Sequence, residues 1–316
     1  MKIAILDDYQ DVACEFADLS RLEAEHDVTV FNEHLGDHEA VVAALEDFDV
    51  IAAMRERTLF DRATLDRLPS LKFMVTTGNR NASIDMEALK ERGIPCSSTG
   101  GRLQTTPELA WGLILAVARN IPLEDRNVRE GRWQTTVGLD LQDKTLGIVG
   151  LGRLGREMAR IGQAFRMNVI AWSQNLTAEQ AAEAGARKVE KSELFAEADV
   201  VTIHYKLSER SRGLVDSSAI GAMKPTAILV NTSRGPIVDM EALTAALEDG
   251  RIAGAGLDVY DTEPLPEDSL VRSLPRTVLT PHLGYVSHDT YRIFYRETVE
   301  DILAWLAGAP IRVIND

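Results

Sequence analysis

Short apolar runs alternate with amphipathic stretches along almost the whole chain. Residues 2–6 form one such run, ended by Asp7 and Asp8, and residues 27–31, 50–54 and 71–76 repeat it. Runs this short and this apolar fit strands buried on both faces. Between them, residues 39–46 and 64–68 carry apolar side chains at helical spacing, so parallel strands covered by helices are expected. No glycine-rich phosphate loop occurs in this part. After Thr99-Gly100-Gly101, residues 107–118 are apolar nearly all round and open with Pro107 and Glu108, as helix starts do. A helix without a polar face predicts burial between domains or against another subunit, and a domain boundary is expected near residue 100.

The pattern restarts at Thr145. Residues 146–150, 168–172, 200–204, 227–231, 254–259 and 277–280 read as buried strands, most of them separated by helical segments. That is the pattern of a doubly wound sheet. The expected fold is therefore α/β with two domains, which 316 residues accommodate.

Composition narrows the choice of partner. Acidic residues outnumber basic ones by 49 to 34, and a net charge of -15 opposes general attraction to nucleic acid or anionic membranes. Cys14 and Cys96 stand far apart, with neither disulfide-framework nor zinc-site spacing, so no metal is expected. The apolar start is too short for a signal sequence and no stretch approaches a membrane span, which predicts a cytoplasmic protein.

Gly150-Leu151-Gly152-Arg153-Leu154-Gly155 follows the first strand of the second pattern and opens a helix. In a strand–loop–helix–strand unit these glycines serve three ends: a tight turn, approach of a pyrophosphate to the backbone, and close helix–strand packing. Arg153 and Leu154, in the same loop, join the candidate dinucleotide contacts. An acid at the end of the next strand would hold the ribose hydroxyls of NAD; Ser173 stands there instead, so the choice between NAD and NADP stays open. Lys206, after the following strand, is a candidate phosphate partner or a solvated surface lysine.

Three further motifs each follow a predicted strand: Asn231-Thr232-Ser233-Arg234-Gly235, then Asp258-Val259 with Glu263-Pro264, then Thr280-Pro281-His282-Leu283-Gly284. Ligands in open α/β sheets bind at the carboxyl ends of strands. Reducing a carbonyl needs a proton donor, and His282 can give and retake a proton near neutral pH. A carboxylate beside it, Glu263, would orient the ring and favour its charged form. The guanidinium of Arg234 would hold a substrate carboxylate.

In that order, the motifs closely resemble the D-isomer-specific 2-hydroxyacid dehydrogenase family, over essentially the whole chain. Pro107-Glu108-Leu109-Ala110, Leu214-Val215 and Met223-Lys224-Pro225 add to the likeness. The resemblance implies an NAD(P)-dependent enzyme moving hydride between nicotinamide and a small 2-keto or D-2-hydroxy acid, glyoxylate and hydroxypyruvate being first candidates. It implies a flavodoxin-like substrate domain from residues 1–100 and 287–316, a Rossmann domain from 101–286, and a homodimer paired through the cofactor domains. It also implies that backbone amides of Thr77, Gly78, Asn79 and Arg80 help hold the substrate carboxylate, that Asp258 faces the nicotinamide amide or ribose, and that Thr232 and Gly284 join the cofactor site.

The chain departs from the family pattern at Ser173, at Lys206, where many relatives have proline, and in Gly78–Asp85, where Arg80 is a candidate for tuning acid preference. A formate or phosphite oxidiser shares the architecture, but a glutamine in place of Glu263 would favour formate. A dinucleotide-sensing corepressor without turnover is the alternative from another class; an added tail or peptide-binding segment would favour it, and none is read in this sequence.

Overall fold

The computed structural model describes residues 1–102 and 104–315. The chain forms two compact units, Met1–Arg102 with Ser287–Asp316, and Leu103–Val286.

The first unit holds strands β1 (Lys2–Ile5), β2 (Asp27–Val30), β3 (Val50–Ala53), β4 (Phe73–Thr76) and β5 (Cys96–Ser98). All are parallel, in the order β2-β1-β3-β4-β5, which is the flavodoxin-like arrangement. Every residue of β3 and β4 is buried, as the unbroken apolar runs require. The helices His38–Leu45, Arg62–Asp66 and Met86–Glu91 each begin on an aspartate, Asp37, Asp61 and Asp85, whose carboxylate accepts an amide of the first turn. The long helix His288–Leu306 packs on β4, with Trp305 stacked on Phe73 at 5.0 Å. The chain then returns to β5, where the Ser98 amide donates to Arg312 O, and the Arg312 guanidinium meets the buried carboxylate of Asp301 at 2.8 Å. Burial still pushes Asp301 up to about 7, since its other oxygen has no donor among the described residues. β5 was not expected as a strand because Cys96-Ser97-Ser98 is short and polar.

The second unit holds β6 (Thr145–Val149), β7 (Asn168–Trp172), β8 (Arg187–Lys188), β9 (Val200–Ile203), β10 (Ile228–Asn231), β11 (Gly254–Leu257) and β12 (Thr277–Leu279). They run parallel in the order β12-β11-β10-β9-β6-β7-β8. Winding proceeds one way from β6 through β7 to β8 and the other way from β9 to β12, so the order reverses beside β6, where such sheets open a ligand crevice. The two-residue β8 is exposed and charged, without apolar signal.

One face of the apolar helix Thr105–Ala118 packs inside this unit. Ala110, Trp111, Leu113, Ile114 and Ala118 join Leu146, Ile148, Val200, Ile228 and Val230 in one core. Gly254 and Gly256 leave room for it: a Cβ at either would come within about 3 Å of Val117 or Leu113 side-chain atoms. Leu109, Leu115, Ala116 and Val117 on the same helix stay half-buried. Among the described residues, no helix is long and apolar enough to cross a membrane.

Several runs that looked like strand continue one residue past the ladder. Gly150, His204 and Thr280 are the first loop residues at the carboxyl edge, and all three belong to the site described next.

Candidate active site and dinucleotide cleft

The loop after β6 turns at Gly150, whose φ of +100° only glycine adopts readily and whose amide donates to Trp172 O at 2.8 Å. A Cβ at Gly155 would collide with the carbonyl of Gly150, so the helix Arg153–Ala164 packs directly on the turn. Gly152 is different: a Cβ there would meet no atom within 4 Å. Its bare, exposed backbone lies at the helix N-terminus, where the first amides have no intrahelical acceptor. Leu154 is half-buried and Arg153 exposed, and both line a cavity of about 600 Å³ on the helix flank. Arg156, Glu157 and Arg160 line the same cavity, where Arg160 pairs with Glu157 and Arg156 with Glu183.

At the end of β7 the Ser173 hydroxyl accepts from the Leu151 amide at 2.9 Å, tying the glycine loop to the next strand. The ring of Tyr205 stacks on Trp172 at 6.0 Å, and its hydroxyl accepts from the Gln174 amide at 3.4 Å. His204 contacts the Thr202 hydroxyl at 2.8 Å, and burial pushes it down to about 4, so the ring is neutral near pH 7. After β10, the Thr232 hydroxyl is buried without a hydrogen-bond partner among the described residues. An orphaned hydroxyl, open backbone at Gly152 and a helix N-terminus are features that a dinucleotide's ribose and phosphates would satisfy. The residues present fit that group.

Arg234, Glu263 and His282 follow the adjacent strands β10, β11 and β12. Asn231 shapes the first loop: its side chain donates to Arg234 O at 2.9 Å and accepts from Ser233 N at 3.0 Å. The Arg234 guanidinium donates to Ser233 O at 2.7 Å. A Cβ at Gly235 would collide with the backbone of Tyr260 and Asp261, so the loops after β10 and β11 meet backbone to backbone. Glu263 is held by one oxygen, which accepts from the Tyr260 amide at 2.8 Å; its other oxygen lies 2.5 Å from His282 Nδ1. Against a carboxylate, Nδ1 carries the proton, and Nε2 is left to exchange one. His282 sits in the left-handed region, φ 55°, which a non-glycine residue holds only when its surroundings impose it.

Asp258 supplies that constraint. Its carboxylate accepts from the Thr280 hydroxyl at 2.6 Å and from the amides of Leu283 and Gly284 at 2.7 and 2.9 Å, while its carbonyl accepts from His282 N. The residue is 0% exposed, and burial raises its carboxyl above the usual range although the three donors pull the other way. Both Asp258 oxygens are engaged with the His282 loop, which Asp258 positions. Gly284 is buried in the same cluster, and its carbonyl accepts from the Thr106 hydroxyl at 2.9 Å.

In the first unit, the loop after β4 contains Thr77, Gly78, Asn79 and Arg80. The Thr77 amide donates to Ala53 O at 3.0 Å and the Gly78 amide to the Thr99 hydroxyl at 2.9 Å. Those two amides are engaged within the fold, so they are not the open donors the sequence suggested. The exposed Asn79 and Arg80 have amides with no acceptor among the described residues. Sequence reasoning also missed Tyr260, whose amide holds Glu263 and whose hydroxyl donates to Thr280 O at 3.0 Å. Its place three residues before the glutamate was the available signal.

A doubly wound sheet with a glycine turn at its switch point, and a carboxylate-paired histidine on the same edge, defines a nicotinamide-dinucleotide oxidoreductase. Comparison with known proteins agrees. The profile described as "D-isomer specific 2-hydroxyacid dehydrogenase, NAD binding domain" matches residues 111–284. The glyoxylate reductase of Korarchaeum cryptofilum is 32% identical over 94% of this chain and 92% of its own length. The D-3-phosphoglycerate dehydrogenase of Archaeoglobus fulgidus is 32% identical over 99% of this chain, which spans 58% of that longer protein. The crystal structure of a phosphoglycerate oxidoreductase from Vibrio cholerae superposes with a TM-score of 0.91 at 35% identity, covering 98% of this chain and all of that one. The chain belongs to the D-isomer specific 2-hydroxyacid dehydrogenase family. It is an NAD(P)-dependent oxidoreductase acting on the CH–OH group of 2-hydroxy acids.

Proposed function

We propose that the enzyme reduces a small 2-keto acid of the glyoxylate or hydroxypyruvate class to the D-2-hydroxy acid, with His282 as the proton donor. The observation that carries this reading is the 2.5 Å pair between His282 Nδ1 and Glu263, fixed from behind by Tyr260 and Asp258. When bound, the nicotinamide supplies the reducing equivalents. Glu263 stabilises the charged ring and holds it in one orientation, so that His282 Nε2 delivers its proton to the carbonyl oxygen; in the reverse direction the same nitrogen takes it back. Arg234 binds the substrate carboxylate and polarises the neighbouring carbonyl; in the first unit, the open amides of Asn79 and Arg80 are donors suited to a carboxylate. Gly150, Gly152 and Gly155, with Arg153, Leu154, Thr232 and Gly284, form the dinucleotide site.

The turn after β7 carries Ser173, Gln174 and Asn175, with no carboxylate to repel a 2'-phosphate. This supports use of NADPH as well as NADH. We assign homodimer formation to the second unit, where Trp133 and Val137, 75% and 98% accessible, and Ile121 and Val128 are exposed apolar residues.

The test is loss of reduced-nicotinamide absorbance with NADH or NADPH against glyoxylate, hydroxypyruvate and phenylpyruvate, for wild type and His282→Ala. Turnover with one of the smaller acids, reduced about a hundredfold or more in the variant with dinucleotide binding intact, is expected. Binding without turnover on any acid would sink the reading.

A further inference from the structure

Arg55 lies just beyond β3 and behind the loop after β4, in the same unit. Its Nη1 donates to two carbonyls, Thr77 O and Arg80 O, each at 3.3 Å. Those carbonyls belong to the peptides that bracket the Gly78–Asn79–Arg80 turn. The peptide joining Thr77 and Gly78 is thus fixed at both ends, since its N–H already donates to Thr99. The peptide joining Arg80 and Asn81 is fixed at its carbonyl. Between them remain two peptides, whose amides, Asn79 N and Arg80 N, are the donors left open.

The rest of the neighbourhood is built around this arginine. Gly78 has φ +75°, and a Cβ there would occupy the place of Arg55 Nη1, so the glycine is needed both for the turn and to admit the guanidinium. Arg55 is itself in the left-handed region at φ 53°. Its amide donates to the Thr77 hydroxyl at 2.9 Å, its carbonyl accepts from Asn81 Nδ2 at 2.5 Å, and its Nη2 lies 3.4 Å from Glu56. Asn81 also donates to the Thr76 hydroxyl at 2.9 Å and accepts from Ser83 N at 2.8 Å, which closes the cage. So many backbone contacts on one loop exceed what a surface ion pair would require.

We propose that Arg55 is a positioning residue for substrate-carboxylate recognition: by clamping the carbonyls of Thr77 and Arg80, it presents the amides of Asn79 and Arg80 as a paired donor site. One nitrogen, Nη1, reaches both carbonyls while Nη2 of the same rigid plane faces Glu56, so the donor is anchored in place; a lysine ammonium on a mobile stem lacks that second anchor. This inference rests on the reading that the loop binds the substrate carboxylate.

The experiment measures kcat, KM for the keto acid and the dissociation constant of the reduced dinucleotide for Arg55→Met, Arg55→Lys and Asn79→Pro, the last removing one of the two amides directly. In Arg55→Met, KM rises about tenfold or more while dinucleotide affinity and kcat at saturation stay within about threefold. Arg55→Lys recovers part of the loss, and Asn79→Pro raises KM in the same way. If Asn79→Pro raises KM and Arg55→Met leaves it unchanged, the clamp is refuted and the loop assignment stands. If neither variant moves KM, the loop does not hold the carboxylate, and the clamp falls with that reading. If Arg55→Met lowers kcat and dinucleotide affinity in parallel, or lysine restores nothing while thermal stability collapses, the arginine is merely structural and the proposal is overturned.

Discussion

Replacing Glu263 by glutamine tests the proton-transfer apparatus with the least change of shape. In the native pair, one carboxylate oxygen accepts from the Tyr260 amide at 2.8 Å and the other faces His282 Nδ1 at 2.5 Å. A glutamine has only one acceptor to offer. The Tyr260 N–H belongs to a backbone fixed by close packing on Gly235, so it claims the amide oxygen. The NH2 then points at Nδ1. A donor facing that nitrogen forbids the charged ring and selects the neutral tautomer protonated on Nε2, which is a poor acid. The loss is that of a hydrogen bond to a charged group, about 1.5–3 kcal/mol. At 1.36 kcal/mol per factor of ten, kcat for reduction should fall about 10- to 100-fold.

The assay is steady-state keto-acid reduction as a function of pH, with dinucleotide affinity measured alongside by fluorescence titration. The fall in kcat is expected with the dissociation constant of the cofactor unchanged. A variant with wild-type kcat and a superimposable profile would refute the role given to the carboxylate. A fall in kcat that comes with an equal loss of cofactor affinity would point instead to a collapsed loop.

The two inner glycines of the turn after β6 should separate binding from packing. Gly152→Ala meets no atom and should leave thermal stability unchanged while weakening dinucleotide binding, whereas Gly155→Ala must displace the helix from the Gly150 carbonyl. That overpacking, about 1–3 kcal/mol, should lower the melting temperature by several degrees as well; equal melting temperatures for the two variants would contradict the packing argument. Sedimentation should give twice the 34.8 kDa of one chain, with Trp133→Asp or Val137→Glu shifting the mass toward a single chain; a wild-type protein that sediments as one chain would remove the dimer surface.

Sequence pattern and site geometry meet at the strand ends and part company just beyond them. Arg234, Glu263 and His282 were legible because each belongs to a short motif right after an apolar run, and a parallel sheet places all such ends on one edge. Which way a side chain turns there is decided by bonds to distant residues. The resemblance makes Asp258 a cofactor contact, and says nothing of the bonds its carboxylate accepts from Thr280, Leu283 and Gly284, more than twenty residues later. Thr77 and Gly78 read as open amides, yet Ala53 and Thr99 take them. Arg55, inside the charged stretch Arg55-Glu56-Arg57, drew no assignment from the sequence, and only the structure brings the carbonyls of Thr77 and Arg80 within its reach. Periodicity carries no record of such pairings, because they join loops across the sheet edge rather than residues along one element. Gly78 shows the link in reverse: a glycine that sequence alone explains as a turn residue is also the gap through which Arg55 reaches the loop, so one substitution there would remove the turn conformation and the clamp together.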